Sequence, residues 1–135
     1  MVFKPESILL RRVLQANAAF STVSGIALVA FARPLAALMG VGRFWILLAV
    51  GAVLLVFAVT LVVNSRRGQI NENEVVQAIV SDGVWVAGST VIAFMGLVSA
   101  TGVWIVAGAG LVVCAFALLQ GIGLRRLRCC EPAEP

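Results

Sequence analysis

The sequence predicts an all-α fold, an integral membrane four-helix bundle with both termini cytoplasmic, and three observations carry that expectation. The chain has 135 residues, 61% hydrophobic and 12% charged, with a mean hydropathy of +1.08. Ordinary soluble domains are nearer half apolar and a quarter charged, and a domain this short could not hide so much apolar side chain from water. Four apolar runs, about 13–32, 44–63, 75–98 and 103–124, each reach the roughly 20 residues that a helix needs to cross a hydrocarbon core of about 30 Å. The basic residues, finally, gather at the ends of those runs. Barrel strands would be about 10 residues long with alternating polarity, a pattern the sequence lacks.

Span one follows Lys4, Arg11 and Arg12. It is too long for the apolar stretch of a signal peptide, and its Ala-rich segment, Ala16 to Ala19, lies near its start instead of after its end. It therefore reads as an uncleaved signal anchor. Pro34 can occupy the first turn of a short helix at no hydrogen-bond cost, so 34–39 is expected to lie along the outer interface before Gly40 and Gly42 turn the chain. Span two carries Thr60 as its one polar side chain and is expected to be the most lipid-exposed. Before span three, Asn71 followed by Glu74 resembles a capping box, which places the helix start near Asn73. Span four ends at Arg125, Arg126 and Arg128. The whole of 1–128 is expected to be a single four-span domain, and 129–135 a short disordered cytoplasmic tail.

Orientation follows from the charges. Lys4, Arg11, Arg12, Arg66, Arg67, Arg125, Arg126 and Arg128 fall on one side of the predicted topology, against Arg33 and Arg43 on the other. The positive-inside rule makes the first side cytoplasmic. Trp45 and Trp104 then begin spans two and four at the outer interface, where aromatic belts form. The net charge of +4 is a topology signal on this reading, and no nucleic acid is expected as a partner. High Ala, Val, Gly and Leu content points to a bacterial inner membrane, with the plasma membrane as location.

Asp82 is the one formally charged residue inside the four apolar runs. An ionisable side chain within a span is a functional-site hypothesis by default, because its charged form is costly there unless paired or hydrated. Asn17 lies five residues beyond Arg12, Gln120 five before Arg125, and Asp82 seven beyond the start of its span. At 1.5 Å per residue all three lie about 7 to 11 Å below the cytoplasmic boundary. Helical spacing aligns Asn17, Ser21 and Ser24 on span one, and Ala78, Asp82, Trp85, Ser89, Ala93 and Gly96 on span three. Gly110, Ala117, Gln120 and Gly121 share roughly one side of span four. Spans one, three and four are thus expected to share a core containing a polar layer of Asp82, Asn17 and Gln120, with Trp85 and Ser89 on the same stripe. Trp85 is expected to donate its indole N–H to that layer; the other reading puts it in the wall of a ligand pocket.

Three readings of the layer stand side by side: a satisfied hydrogen-bond cluster that fixes helix register, a proton- or cation-linked site open to the cytoplasm, and an acid that faces a partner protein. Without His or a second acid inside the spans, neither a triad nor a usual metal site can be assembled, so no enzyme activity, catalytic residue, metal or cofactor is expected. Cys114 reads as a small apolar filler, and Cys129 and Cys130 as reduced thiols beside a basic cluster.

The size and four-span plan resemble small multidrug resistance exporters. That family carries its essential acid in the first span, where this chain has Asn17, so no residue role carries over. Asn17, Phe20 and Ser24-Gly25, then Pro34-Leu35-Ala36, with Leu119-Gln120 before Gly123-Leu124-Arg125-Arg126, are more similar to small four-span bacterial membrane proteins, DoxX-like ones among them. That resemblance covers most of the chain and implies a fold and no particular activity. The expected role is that of an accessory or interaction protein, its surroundings the lipid bilayer and its partner another copy or another membrane protein. The alternative is a small oligomeric transporter using Asp82 for a proton or cation.

Overall fold

A computed structural model describes residues 5–130, with α1 at Pro5–Ala30, α2 at Ala32–Met39, α3 at Phe44–Arg66, α4 at Glu72–Phe94 and α5 at Ala100–Cys129. Lys4 and the part of the predicted tail at 131–135 lie outside the described residues. The described residues contain no strand, and four of the helices, α1, α3, α4 and α5, are long and apolar enough to cross a membrane.

The helices overrun their apolar stretches wherever the chain meets charge. α1 begins at Pro5 instead of near Val13, and α5 continues through Arg125, Arg126 and Arg128 to Cys129, with Cys130 as its C-cap. Hydropathy marks where a chain is apolar, whereas a helix continues as long as backbone bonding does. Cys129 is therefore helical and not part of a disordered tail. At the other boundary α4 stops at Phe94, short of Val98, and Gly96 follows with φ 66°, a left-handed conformation that a residue without Cβ adopts freely.

The turns are built from side-chain caps. α2 starts at Ala32, which puts Pro34 in its first turn, and ends on Gly40 at φ 71°, whose N–H donates back toward the helix. Ser99 caps α5 by accepting from Gly102 N–H at 3.1 Å. It also donates from Oγ to Leu38 O at 2.8 Å and from its backbone N–H to Met39 O at 2.7 Å. The end of α2 is thereby tied to the α4–α5 turn. Asn71 caps α4 by accepting from Asn73 N–H at 3.1 Å, so the helix starts at Glu72. The return arm of a capping box is replaced. Glu74 accepts from the Asn71 side chain at 3.4 Å and from Arg67 at 2.8 Å, while the Asn71 backbone N–H donates to Asn64 Oδ1 at 3.0 Å.

α1 is the central helix, with α3 on one side and α5 on the other, and α4 packs along α5. The most extensive contact is α1 on α3, and α3 is more buried than α4 or α5, which corrects the expectation that span two is the most exposed of the four. Its cause is a glycine pair: a Cβ on Gly25 would lie 2.9 Å from Gly51 O, and one on Gly51 would lie 2.9 Å from Gly25 O. Backbones can approach that closely only where both residues are glycine, and the close approach adds dispersion contacts along the seam. At the basic end Leu10, Leu14, Leu61, Val75, Ala78 and Leu124 make one buried cluster from all four long helices. At the opposite end α2 folds Ala32, Ala36 and Met39 onto Leu47 in a second. Arg33 there lies over the Phe44 ring at 4.8 Å, and Trp104 is 78% exposed.

Candidate functional site

The layer lies directly above the basic-end cluster. On α1, Leu10, Leu14, Asn17 and Ser21 follow one another at helical spacing and are all buried. On α4, Val75, Ala78 and Asp82 do so, and on α5 the buried positions are Gly102, Val113, Gln120, Gly123 and Leu124. The apolar residues at the base of each stripe fix the rotation of the helix, and the next inward position on each is polar.

Asn17 Nδ2 donates to Asp82 Oδ2 at 2.9 Å, and Gln120 Nε2 reaches the same oxygen at 3.4 Å. Ser21 Oγ donates to Asn17 Oδ1 at 3.4 Å and so orients that amide. Asn17 and Gln120 are 0% exposed and Asp82 4%. The structure therefore brings together three polar residues from α1, α4 and α5, with the carboxylate held between two amide donors. Both donors converge on Oδ2; Gln120 Oε1 is buried without a hydrogen-bond partner, which leaves the layer one unmet acceptor.

Trp85 and Ser89 sit on the same side of α4, one and two turns farther from the basic end, and both are half-buried. Neither hydrogen-bonds to the layer. The expected donation from the Trp85 indole does not occur; the donors to Oδ2 are Asn17 and Gln120. Ala93 is half-buried and Gly96 exposed, so the α4 stripe leaves the core as it rises. On α5, Gly110, Ala117 and Gly121 are half-buried beside Gln120.

Two structural contacts escape a reading of the sequence. Arg11, which reads as a topology signal, holds the end of α3: Nη1 donates to Ser65 O and Arg67 O, each at 2.6 Å, and Nη2 to Gly68 O at 2.9 Å. Asn64, one residue past the apolar run of span two, is 1% exposed and bonds both polar groups of the Asn71 backbone, accepting from N–H at 3.0 Å and donating to C=O at 3.3 Å. Its signal was faint: a short polar residue seven positions before the helix cap.

Among the described residues no cluster of His, Cys, Asp and Glu could hold a metal ion, and all three cysteines are exposed and outside any disulfide. Fold and site together define a class: an all-α bundle with four helices of membrane-spanning length and apolarity, clasped around one buried carboxylate. Comparison with protein-family models, with curated proteins and with solved structures finds no match.

Proposed function

We propose that this chain is a small multi-pass protein of the bacterial inner membrane, its termini cytoplasmic, that works as an accessory partner of another membrane protein. One observation carries the choice over transport: Asp82 is 4% exposed and is held between Asn17 and Gln120, both fully buried. A carboxylate that binds and releases a cation needs a path, and here its path is filled by its own hydrogen-bond donors. The faces that a partner would use are available. Gly83 and Gly88 on α4, and Gly108, Gly110 and Gly121 on α5, have nothing within 4 Å of where a Cβ would be, so their small size serves no contact inside the chain. Small residues at a helix surface allow close approach by another helix.

The second reading, a proton- or cation-linked transporter, has one observation in its favour, the unpartnered Gln120 Oε1 next to the acid. Two measurements separate them. Affinity isolation from native membranes in a mild detergent is expected to recover a stoichiometric membrane-protein partner; repeated recovery of the chain with itself alone would remove the accessory reading. In proteoliposomes the wild-type protein is expected to show no pH-driven cation flux, and a flux abolished by Asp82→Asn would establish the second reading instead.

A further inference from the structure

The contact of α1 with α3 leaves a groove on the outer surface of the bundle, a cavity of about 390 Å³, far from the polar layer in its chemistry. Ala18, Ala19, Thr22, Val23 and Val62 make its floor and inner length, and Gln15, Ser65 and Arg66 stand at one end. Thr22 turns its hydroxyl inward to Ala18 O at 2.7 Å and Ser65 donates to Val62 O at 2.9 Å, so both present mainly carbon to the groove. From Gln15 to Val23 the groove runs about 12 Å along the helix axis. Its polar end coincides with the basic end of the bundle. Arg12 lies on the same stripe of α1 as Gln15 and Ala19, three and seven residues before them, and is exposed, as is Arg66 on α3.

We infer that this groove binds an anionic diacyl phospholipid, its phosphate between Arg12 and Arg66 and an acyl chain along Ala19, Thr22 and Val23. The ordering of the groove is that of a phospholipid, charged head at the boundary and hydrocarbon inward. Arg67, the next residue, is engaged with Glu74 at 2.8 Å, and Arg11 is engaged with the α3 carbonyls, so Arg12 and Arg66 are the cations of this corner that remain turned outward. Gln15 adds an amide donor at phosphate height. The inference rests on the bundle being embedded in a bilayer, and it stands whether or not a protein partner is found.

The test is native mass spectrometry of the full chain in non-ionic detergent, with equal amounts of dioleoyl phosphatidylglycerol and dioleoyl phosphatidylcholine. Wild type is expected to retain one phosphatidylglycerol in preference. A juxtamembrane arginine contributes about fivefold to binding of an anionic lipid, so Arg12→Gln with Arg66→Gln lowers retention by about 25-fold. Arg126→Gln, equally basic and at the same end, leaves it unchanged. Ala19→Trp fills the hydrocarbon part with both arginines in place and is expected to remove the lipid too, with the helical circular dichroism of each variant showing that it folds. Equal retention of the two lipids by wild type, an equal loss with Arg126→Gln, or displacement by glycerol phosphate without acyl chains would each overturn the assignment.

Discussion

Asn17 donates to Asp82 at 2.9 Å across two helices that are not an extensive packing pair, α1 being packed on α3 and α5 and α4 chiefly on α5. The bond therefore does what backbone contact does elsewhere in the bundle: it fixes the rotation and height of α4 relative to the central helix. A buried carboxylate is tolerated in such a place because two amides converge on it. The same pairing makes each partner costly to remove alone.

Replacing Asn17 with Ala deletes the shorter of the two bonds and leaves a buried acceptor, which costs about 1 to 3 kcal/mol. Asp82→Ala removes the group that needed the donor. In a double-mutant cycle, followed by reversible unfolding in mixed micelles, the two losses are expected to fall short of additivity by about 1 kcal/mol, the scale of interhelical hydrogen bonds in membrane bundles. Strict additivity would mean that the two side chains do not interact. Asp82→Asn keeps the size and an accepting oxygen, so it should cost less than Asp82→Ala.

Glycine substitutions should divide by sign. At Gly51 a Cβ would lie 2.8 Å from Val29 Cγ2 and 2.9 Å from the Gly25 carbonyl, and the carbonyl is backbone that cannot swing aside. Gly51→Ala is expected to destabilise by about 1 to 3 kcal/mol as α1 and α3 are forced apart. At Gly88 the same methyl meets open space, and the helix gains up to about 1 kcal/mol from the better helix former. Thermal unfolding of both variants in detergent decides the matter. Two shifts of the same direction would show that the seam between α1 and α3 is not set by its glycines.

The contrast shows what was legible in the sequence. The number of long apolar helices, their antiparallel order and the level shared by Asn17, Asp82 and Gln120 follow from one-dimensional quantities: run length, end charge and residues counted from a boundary. The polar layer could be read because a lone acid in an apolar run needs donors, and two stood at its height. What could not be read was which helices touch. A uniformly apolar span two reads as lipid-facing, yet small size at a contact is what lets two apolar helices approach closely, and Gly25 and Gly51 betray their pairing only when both are placed at one height. Trp85 was drawn to the layer by its donor, but a stripe along one helix says nothing about how far the neighbouring helices accompany it. Arg11 and Asn64 were hidden for a related reason, since both serve carbonyls and N–H groups that a side-chain pattern does not display.

Ser99 links two helices, α2 and α5, through one residue. Its oxygen caps α5 at Gly102 and its hydroxyl and backbone donate to Leu38 and Met39 at the end of α2. Ser99→Ala keeps the backbone bond to Met39 and loses the other two, an expected cost of about 1 to 2 kcal/mol. Hydrogen exchange should localise it: faster exchange at Gly102 with little change at Asn73, whose cap is Asn71. Uniform acceleration across both turns would instead mean that the bundle opens as one unit and that Ser99 is no local clasp.

Arg11 offers the sharpest separation of shape from charge. Its guanidinium forks over Ser65 O, Arg67 O and Gly68 O, the unsatisfied carbonyls that end α3 and the negative end of that helix's dipole. A lysine ammonium keeps the charge and the attraction to the dipole, but it is a compact donor and cannot span three carbonyls in the fixed geometry of the fork. Arg11→Lys is expected to lose about 1 to 2 kcal/mol of stability through the weakened charge-assisted bonds. Arg12→Lys, one residue on and exposed, should be neutral within about 0.5 kcal/mol, as surface substitutions are. Because net charge and topology signal are identical in the two variants, a difference in their unfolding midpoints measures the clamp itself. If both variants match wild type, the carbonyls at the end of α3 are satisfied without Arg11 and the clamp adds no stability.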